Sequence, residues 1–502
     1  MSRYYWDNQD DRYDDYDAYS DYGNYYGRGN RGVQKNRGGQ DYRSGSGYRR
    51  ETGQGTRTQN RSARNYRRES GYNANRKYPN DFSERQARYE GFDEEKEEVS
   101  SGLIYVLMTA FFGILIITVL MGRMSVDHSS IPDTQSESLY ASSSESPVSS
   151  EPETVDPVAQ KIESELNSMT NEQKVGQLFM VRKSGNGTLF DTVSQIGAGG
   201  AILFADDFKG KSSDEVRDMI SEIQSCSDGR MIIAVDEEGG DVVRISSNSK
   251  LRSSRFLSPQ RLFKKGGFDL IVSDTQEKCD LLHSLGLNMN MAPVADVCTS
   301  SSGFMYRRSF GKGAEETAEY VTKVISVMNE TPVASCVKHF PGYGNSKSDT
   351  HKGLDVNTKT LTELKESDLV PFEAAIREGV DSIMLTHTVI DSVDPDHPAS
   401  LSVDVVDIIR EDMGFDGVLI TDGLEMGAIN EYSGGDSGKV CVMAVLAGID
   451  ILCAPKNPVD DYNAVLEAVN YGEISQERLD ESVRRILKLK IRLGMYADQL
   501  PE

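Results

Sequence analysis

The first hundred residues contain almost no Leu, Ile or Val. Without branched apolar side chains a segment cannot bury enough surface to offset its chain entropy, so no folded core is expected there. The whole chain has one Trp and six cysteines, and none of the cysteines forms a CxxC pair. Cys226, Cys279, Cys298, Cys336, Cys441 and Cys453 are scattered, which leaves no disulfide framework and no zinc motif. Cys336, Cys441 and Cys453 sit in or beside apolar runs and read as small buried hydrophobes. HExxH and similar ligand spacings are missing too, so neither a metal nor a cofactor is expected. Basic charge is short everywhere except in the first hundred residues. Those hold 19 Lys and Arg against 18 Asp and Glu, whereas the remaining 402 hold 36 against 61, a net of −25. An acidic folded region argues against nucleic acid as its partner.

What the first hundred residues do contain is Tyr, Arg, Gly, Asn and Asp, with 14 of the 23 tyrosines of the chain. Residues 1–100 read as a disordered, solvated tail of near-neutral charge. Its basic middle interleaves Tyr with Arg37-Gly38-Gly39, a mix that can also stack on nucleic acid or self-associate. Residues 102–122 read GLIYVLMTAFFGILIITVLMG, about 21 residues without a charge, the length that crosses a bilayer. The stretch begins too late and runs too long for a cleaved signal peptide. Arg85, Arg88 and Lys96 precede it and only Arg123 follows closely, so the N-terminus is expected in the cytoplasm and the C-terminal bulk outside the cell. Residues 123–157, rich in Ser, Glu, Pro and Asp, read as an extended linker.

From residue 158 to about 498 the pattern becomes globular. Eight apolar runs, at 178–181, 200–204, 231–235, 287–294, 333–337, 382–385, 417–420 and 450–453, alternate with amphipathic stretches such as 214–226 and 361–378. Eight βα units in about 340 residues predict an α/β fold, a TIM-type (β/α)8 barrel. A doubly wound open sheet is the rival arrangement. A last helix over 475–493, opened by Ser475 and stopped by Gly494, is expected to close the ring.

In such a barrel the chemistry sits where the strands end. Run three ends in Asp236-Glu237-Glu238-Gly239-Gly240, with Arg244 just beyond. Run four is followed by Asp296 and later by Arg308-Ser309-Phe310-Gly311. Run five opens into Lys338-His339-Phe340-Pro341-Gly342-Tyr343-Gly344 and then Asp349-Thr350-His351. Run six ends in His387 and run seven in Thr421-Asp422. Five polar ends of one barrel are hard to explain as ordinary surface. Asp422, carried by a rigid strand end, suits a carboxylate nucleophile of the kind glycosidases use. Asp349 lies two residues from His351, a spacing that lets it orient the imidazole and stabilise its charged form. His351 can then pass a proton to a leaving oxygen and take one back from water. Metal binding by His339, Asp349, His351 and His387, and a purely structural Asp–His pair, are the competing readings.

These stretches, together with Glu172-Gln173-Lys174-Val175-Gly176-Gln177, Ala292-Pro293-Val294-Ala295-Asp296, Pro398-Ala399-Ser400-Leu401-Ser402 and Gly414-Phe415-Asp416-Gly417, occur in an order that resembles glycoside hydrolase family 3. The resemblance is to its single-domain NagZ-like β-N-acetylglucosaminidases (β-N-acetylhexosaminidases) and covers about 160–495. It implies a retaining mechanism with Asp422 as nucleophile, His351 as acid/base and Asp349 as its orienting partner. Asp236, Arg244, Arg308, Lys338 and His339 match positions that bind the sugar. Three departures stand out. Tyr343 replaces the His of a Pro-Gly-His-Gly motif, Gly423 follows Asp422 where an Asp is frequent, and 299–306 is unlike the common form.

The expectation is therefore a single-pass membrane protein whose extracellular barrel removes terminal β-linked N-acetylglucosamine from glycans, with peptidoglycan fragments as the substrate that the resemblance suggests. A β-glucosidase, a phosphorylase using inorganic phosphate, and a glycan-binding barrel without catalysis are the alternatives.

Overall fold

The computed structural model describes residues 156–183, 188–343 and 354–497. The N-terminal tail, the apolar stretch 102–122 and most of the linker lie outside these residues, as do Asp349 and His351. Among the described residues no helix is long and apolar enough to cross a membrane.

Eight parallel strands form a nearly closed barrel. They are β1 (Phe179–Val181), β2 (Gly200–Leu203), β3 (Ile232–Val235), β4 (Met289–Asn290), β5 (Ala334–Phe340), β7 (Ser382–Leu385), β10 (Val418–Thr421) and β11 (Leu452–Cys453). Each pairs with the next around the ring, and β11 returns to β1 through Phe179↔Leu452 and Met180↔Cys453. The remaining gap, β10 to β11, is bridged at Ile420↔Ile451, and Thr421 Oγ1 accepts from Cys453 N at 3.0 Å. Every residue of these eight strands is buried. Helices cover the outer face of the sheet and side chains fill its interior, which is why the strands read as unbroken apolar runs rather than alternating ones. The other three strands, β6 (Val356–Asn357), β8 (Val389–Ile390) and β9 (Asp394–Pro398), make a small sheet in the order β6-β8-β9. It ties the chain just after residue 353 to the loop that leaves β7.

Local signals start the outer helices where the sequence places them. Thr170, Thr188, Ser212 and Thr360 each accept from the backbone N–H three residues on, and Gln173, Asp191, Glu215 and Glu363 reach back in reciprocal capping boxes. The last helix, Gln476–Arg492, is capped by Ser475, and Gly494 follows at φ 78°.

Two expectations needed correction. The stretch 361–378 is two helices, Leu361–Glu366 and Val370–Arg377, because Pro371 can open a helix but cannot continue one, and Ser367 leaves helical geometry. Run five does not end at Val337. β5 continues to Phe340, so Lys338 and His339 belong to the strand and not to a loop.

Candidate active site

The strand ends that the sequence marks converge at the C-terminal mouth of the barrel. Three successive acids leave β3, and each does something different. Asp236 accepts from Lys338 Nζ at 2.6 Å and lies 3.6 Å from Arg244 Nη2. Glu237 turns into the protein, where its Oε2 accepts from Arg244 N at 2.8 Å and Ile245 N at 2.7 Å. It thereby fixes the loop that carries Arg244. Glu238 takes both ends of the Arg308 guanidinium, Nε to Oε2 at 2.9 Å and Nη2 to Oε1 at 2.6 Å, and Lys338 Nζ lies 2.8 Å from the same Oε1. Such a bidentate pairing sets the guanidinium plane as well as its position. Two residues on, Phe310 anchors the same segment, stacking on Tyr320 at 4.8 Å and meeting Phe263 edge-on at 5.1 Å.

Lys338 and His339 are adjacent, yet both side chains reach polar partners at the mouth. In a regular strand they would face opposite sides. The pairing of β5 with β7 shifts register between Val337 and Phe340, which breaks that alternation. His339 Nδ1 lies 2.8 Å from Asp296 Oδ2 and its Nε2 lies 3.3 Å from Arg308 Nη2. A carboxylate only accepts and a guanidinium only donates, so the proton sits on Nδ1 and Nε2 accepts. Asp296 also accepts from Tyr343 N at 2.6 Å, and Ala295 N donates to Lys338 O at 2.6 Å, so the chain after β4 clamps the end of β5. Gly342 turns the chain there with φ 122°, a region that other residues rarely adopt.

Asp422 follows β10 directly. Its backbone N donates to Leu385 O at 2.8 Å, and its Oδ1 accepts from Gly423 N at 2.8 Å. Tyr343 OH donates to its Oδ2 at 3.5 Å. Gly423 is itself held, because its carbonyl accepts from His387 Nε2 at 3.1 Å, which leaves His387 Nδ1 to accept from Ser400 Oγ at 2.7 Å. His387 is fully buried. The Ser400 motif thus supports the peptide beside Asp422.

Charge in this pocket is balanced by direct ion pairs among Asp236, Glu238, Arg308 and Lys338. Burial works against the charged form of Glu238, but Arg308 and Lys338 outweigh it and hold the carboxyl well below the usual carboxylate range. Burial opposes charge on Asp236 as well, and Lys338 and Arg244 bring it below its ordinary value. The same carboxylates overcome the burial of Lys338 and hold its ammonium above its ordinary value. Glu237 behaves differently, since burial pushes its carboxyl up despite the Ser246 hydrogen bond. One donor is unspent, because Arg244 Nε is buried without a hydrogen-bond partner among the described residues. The guanidinium lies 5.3 Å from the Phe204 ring centre, and Arg182 lies over the same ring at 4.1 Å.

The structure therefore brings Asp236, Arg244, Arg308, Lys338 and His339 into one contact network, and joins Asp422 to it through Tyr343, whose ring meets His339 edge-on at 5.2 Å. Buried donors and acceptors at close quarters, facing one carboxylate on a rigid strand end, can grip a polyhydroxylated ring and attack one of its carbons. Among the described residues no group of three or more His, Cys, Asp or Glu is placed to hold a metal ion, and His339 and His387 serve different partners. Sequence reasoning gave no role to Glu238, Asp296, Glu237 or Tyr343. Glu238 and Asp296 stood in the strand-end stretches but had no partner until Arg308 and His339 were placed beside them.

Comparison with known proteins gives the family of the fold. The glycosyl hydrolase family 3 N-terminal domain matches residues 170–489. An uncharacterized secreted glycosyl hydrolase of Arthroderma benhamiae is 31% identical over 61% of this chain and 88% of its own length. A β-hexosaminidase of Thioalkalivibrio sulfidiphilus is 29% identical over 61% of this chain and 85% of its own. Among solved structures, a family 3 β-N-acetylglucosaminidase from Paenibacillus sp. superposes with a TM-score of 0.60 at 32% identity, over 65% of this chain and 63% of that one. With the family domain spanning the barrel from the first capping box to the last helix, this chain belongs to glycosyl hydrolase family 3.

Proposed function

We propose that the protein is an exo-acting, retaining β-N-acetylhexosaminidase that removes terminal, non-reducing β-linked N-acetylglucosamine. The observation that carries the proposal is the placement of Asp422. It is a carboxylate on a rigid strand end that accepts from Gly423 N and Tyr343 OH, beside a buried network with polar groups suited to sugar hydroxyls. In this reading a carboxylate oxygen of Asp422 attacks the anomeric carbon while His351, oriented by Asp349, protonates the departing glycosidic oxygen. Water then loses a proton to His351, attacks the same carbon and frees Asp422, so two inversions give net retention. Asp236, Lys338, Arg308, His339 and Arg244 hold the sugar, and the unspent Nε of Arg244 offers one further donor. The choice of N-acetylglucosamine rests on the Asp-Thr-His stretch and on the names of the relatives, and peptidoglycan fragments are the natural substrate we propose.

We further propose that residues 102–122 anchor the barrel outside the cell, with 1–100 in the cytoplasm. Release of nitrophenol from 4-nitrophenyl N-acetyl-β-D-glucosaminide, compared with the glucoside and with and without inorganic phosphate, tests the activity. The proposal expects a preference for the N-acetylated substrate and no dependence on phosphate. Asp422→Asn should fall to background, and near-normal turnover by that variant would refute the mechanism.

A further inference from the structure

Tyr343 stands out among the groups around Asp422, because the proposed reaction gives it no part and yet the fold invests in its position. It is 5% exposed. Its ring sits in a small apolar cluster of its own with Val294, Cys298 and Met305, flanked by Phe304 and Tyr306. Phe304 meets it edge-on at 6.2 Å. Two separate departures in the sequence, Tyr343 and the segment 299–306, are thus one packed unit. The backbone is fixed as firmly, with Tyr343 N on Asp296 and Gly342 at the turn before it. An aromatic ring held this way has an apolar body and one polar tip, and the tip reaches Asp422 Oδ2 at 3.5 Å.

We propose that Tyr343 is a positioning residue for Asp422, whose phenol donates to Oδ2 and, with Gly423 N on Oδ1, fixes the carboxylate plane and keeps it ionised. The proposal rests on the reading of Asp422 as nucleophile. A contact of 3.5 Å is long for a hydrogen bond between oxygens, and such contacts tighten when a reacting complex forms. A donor to a carboxylate favours its charged form, so losing the donor raises the pH at which the carboxylate takes up a proton. Other charges face the same space. Asp296 and His339 touch Tyr343, with Arg308 behind His339. Asp236 with Lys338 and Arg244, and Glu425 with Arg182, line the mouth beside β10. Cys453 of β11 feels Asp236, Asp422 and Glu425 together. Tyr343→Phe removes the phenol oxygen that donates to Asp422 Oδ2 and keeps the ring in its apolar cluster.

The experiment is the pH profile of kcat/KM on an aryl N-acetyl-β-glucosaminide for the wild type, Tyr343→Phe, Gly423→Asp and Asp422→Asn, with a thermal melt of each. Gly423→Asp serves as a sensitivity control. Among the described residues a Cβ at residue 423 meets only Met426, at 3.7 Å and beyond, and the added carboxylate must push the Asp422 titration upward. For Tyr343→Phe the expected result is a fall of about tenfold in kcat/KM near neutral pH, the scale of one hydrogen bond to a charged group. Its acid limb should move up by roughly half to one pH unit, with the melt unchanged. An acid limb that moves in Gly423→Asp but stays in place in Tyr343→Phe overturns the role of Tyr343 and leaves Asp422 standing. A uniform loss at every pH together with a lower melt makes Tyr343 a packing residue only and overturns it equally. Activity surviving in Asp422→Asn overturns the reading of Asp422 and this proposal with it.

Discussion

Lys338 is the residue on which most of the buried charge depends. Its side chain is 2% exposed and lies within 2.8 Å of both Asp236 and Glu238. Removing one partner of a buried ionic group leaves the others uncompensated, which costs about 3–5 kcal/mol. Lys338→Met should therefore lower the unfolding free energy from denaturant titration by that amount and abolish sugar binding, both measurable on the same preparation. The pH dependence follows from the shifts. Lys338 is held above its ordinary value, so its contribution is complete below about pH 10 and is lost as pH rises through the folded value. Glu238 is held below its ordinary value, so its contribution is present above about pH 4 and is lost as pH falls through the folded value. The stability gap between wild type and Glu238→Gln should be wide at pH 7 and should narrow at pH 3 in urea titrations. A gap of equal size at both would show that Glu238 stabilises through packing and not through charge. Little of this was legible in the sequence. Arg308 and Glu238 are 70 residues apart, and Lys338 and Asp236 are 102 apart, so no local pattern pairs them. What the sequence did show was that unusual residues gather at strand ends.

At the scale of elements, legibility followed the physics of each strand. All eight apolar runs became barrel strands, because a parallel strand buried on both faces must be apolar throughout. Their limits were less legible where pairing outlasted the apolar run, as at Lys338 and His339 in β5. Run four shows the reverse, since only Met289–Asn290 forms regular ladder while Ala292 O, Pro293 O and Ala295 N each bond singly to β5 around the Val294↔Lys338 bridge. The opposite end of the barrel has a polar cluster with a purely structural task. Asp450, fully buried just before β11, accepts from Arg410 Nη2 at 2.7 Å, Leu419 N at 2.9 Å and Ser482 Oγ at 2.7 Å, and Arg478 and Arg485 each lie 3.3 Å away. It locks the last helix to the ring between β10 and β11. Asp450→Ala should destabilise the barrel by about 3–5 kcal/mol, because three guanidiniums lose their common partner. The KM of the remaining folded enzyme should not change, since this face is remote from the strand ends that carry chemistry. A changed KM with an unchanged melt would show that the two ends of the barrel are coupled.

Viewed whole, the chain joins one folded unit to a long N-terminal region of very different composition. Asp156 caps the first described helix, Pro157–Ser168, through its own side chain on Val158 N at 2.9 Å, and Glu163 of that helix pairs with Arg484 of the last described one at 2.6 Å. A fragment from 156 to 497 contains every contact of the ring, so it should melt in one transition and keep the kcat/KM of the full chain on aryl substrates. If residues 102–122 anchor the protein, the full chain should sediment with membranes and the fragment should not, and protease added to intact cells should reach the barrel. The central claim, however, is chemical. An activated, fluorinated N-acetylglucosaminyl donor that reacts quickly but hydrolyses slowly should trap the enzyme, and intact-protein and peptide mass spectra should then read the adduct. One glycosyl group per chain is expected, on the peptide that contains Asp422 and missing in Asp422→Asn. An adduct on another residue, or turnover of the donor with no adduct and with inverted configuration in the product, would contradict it.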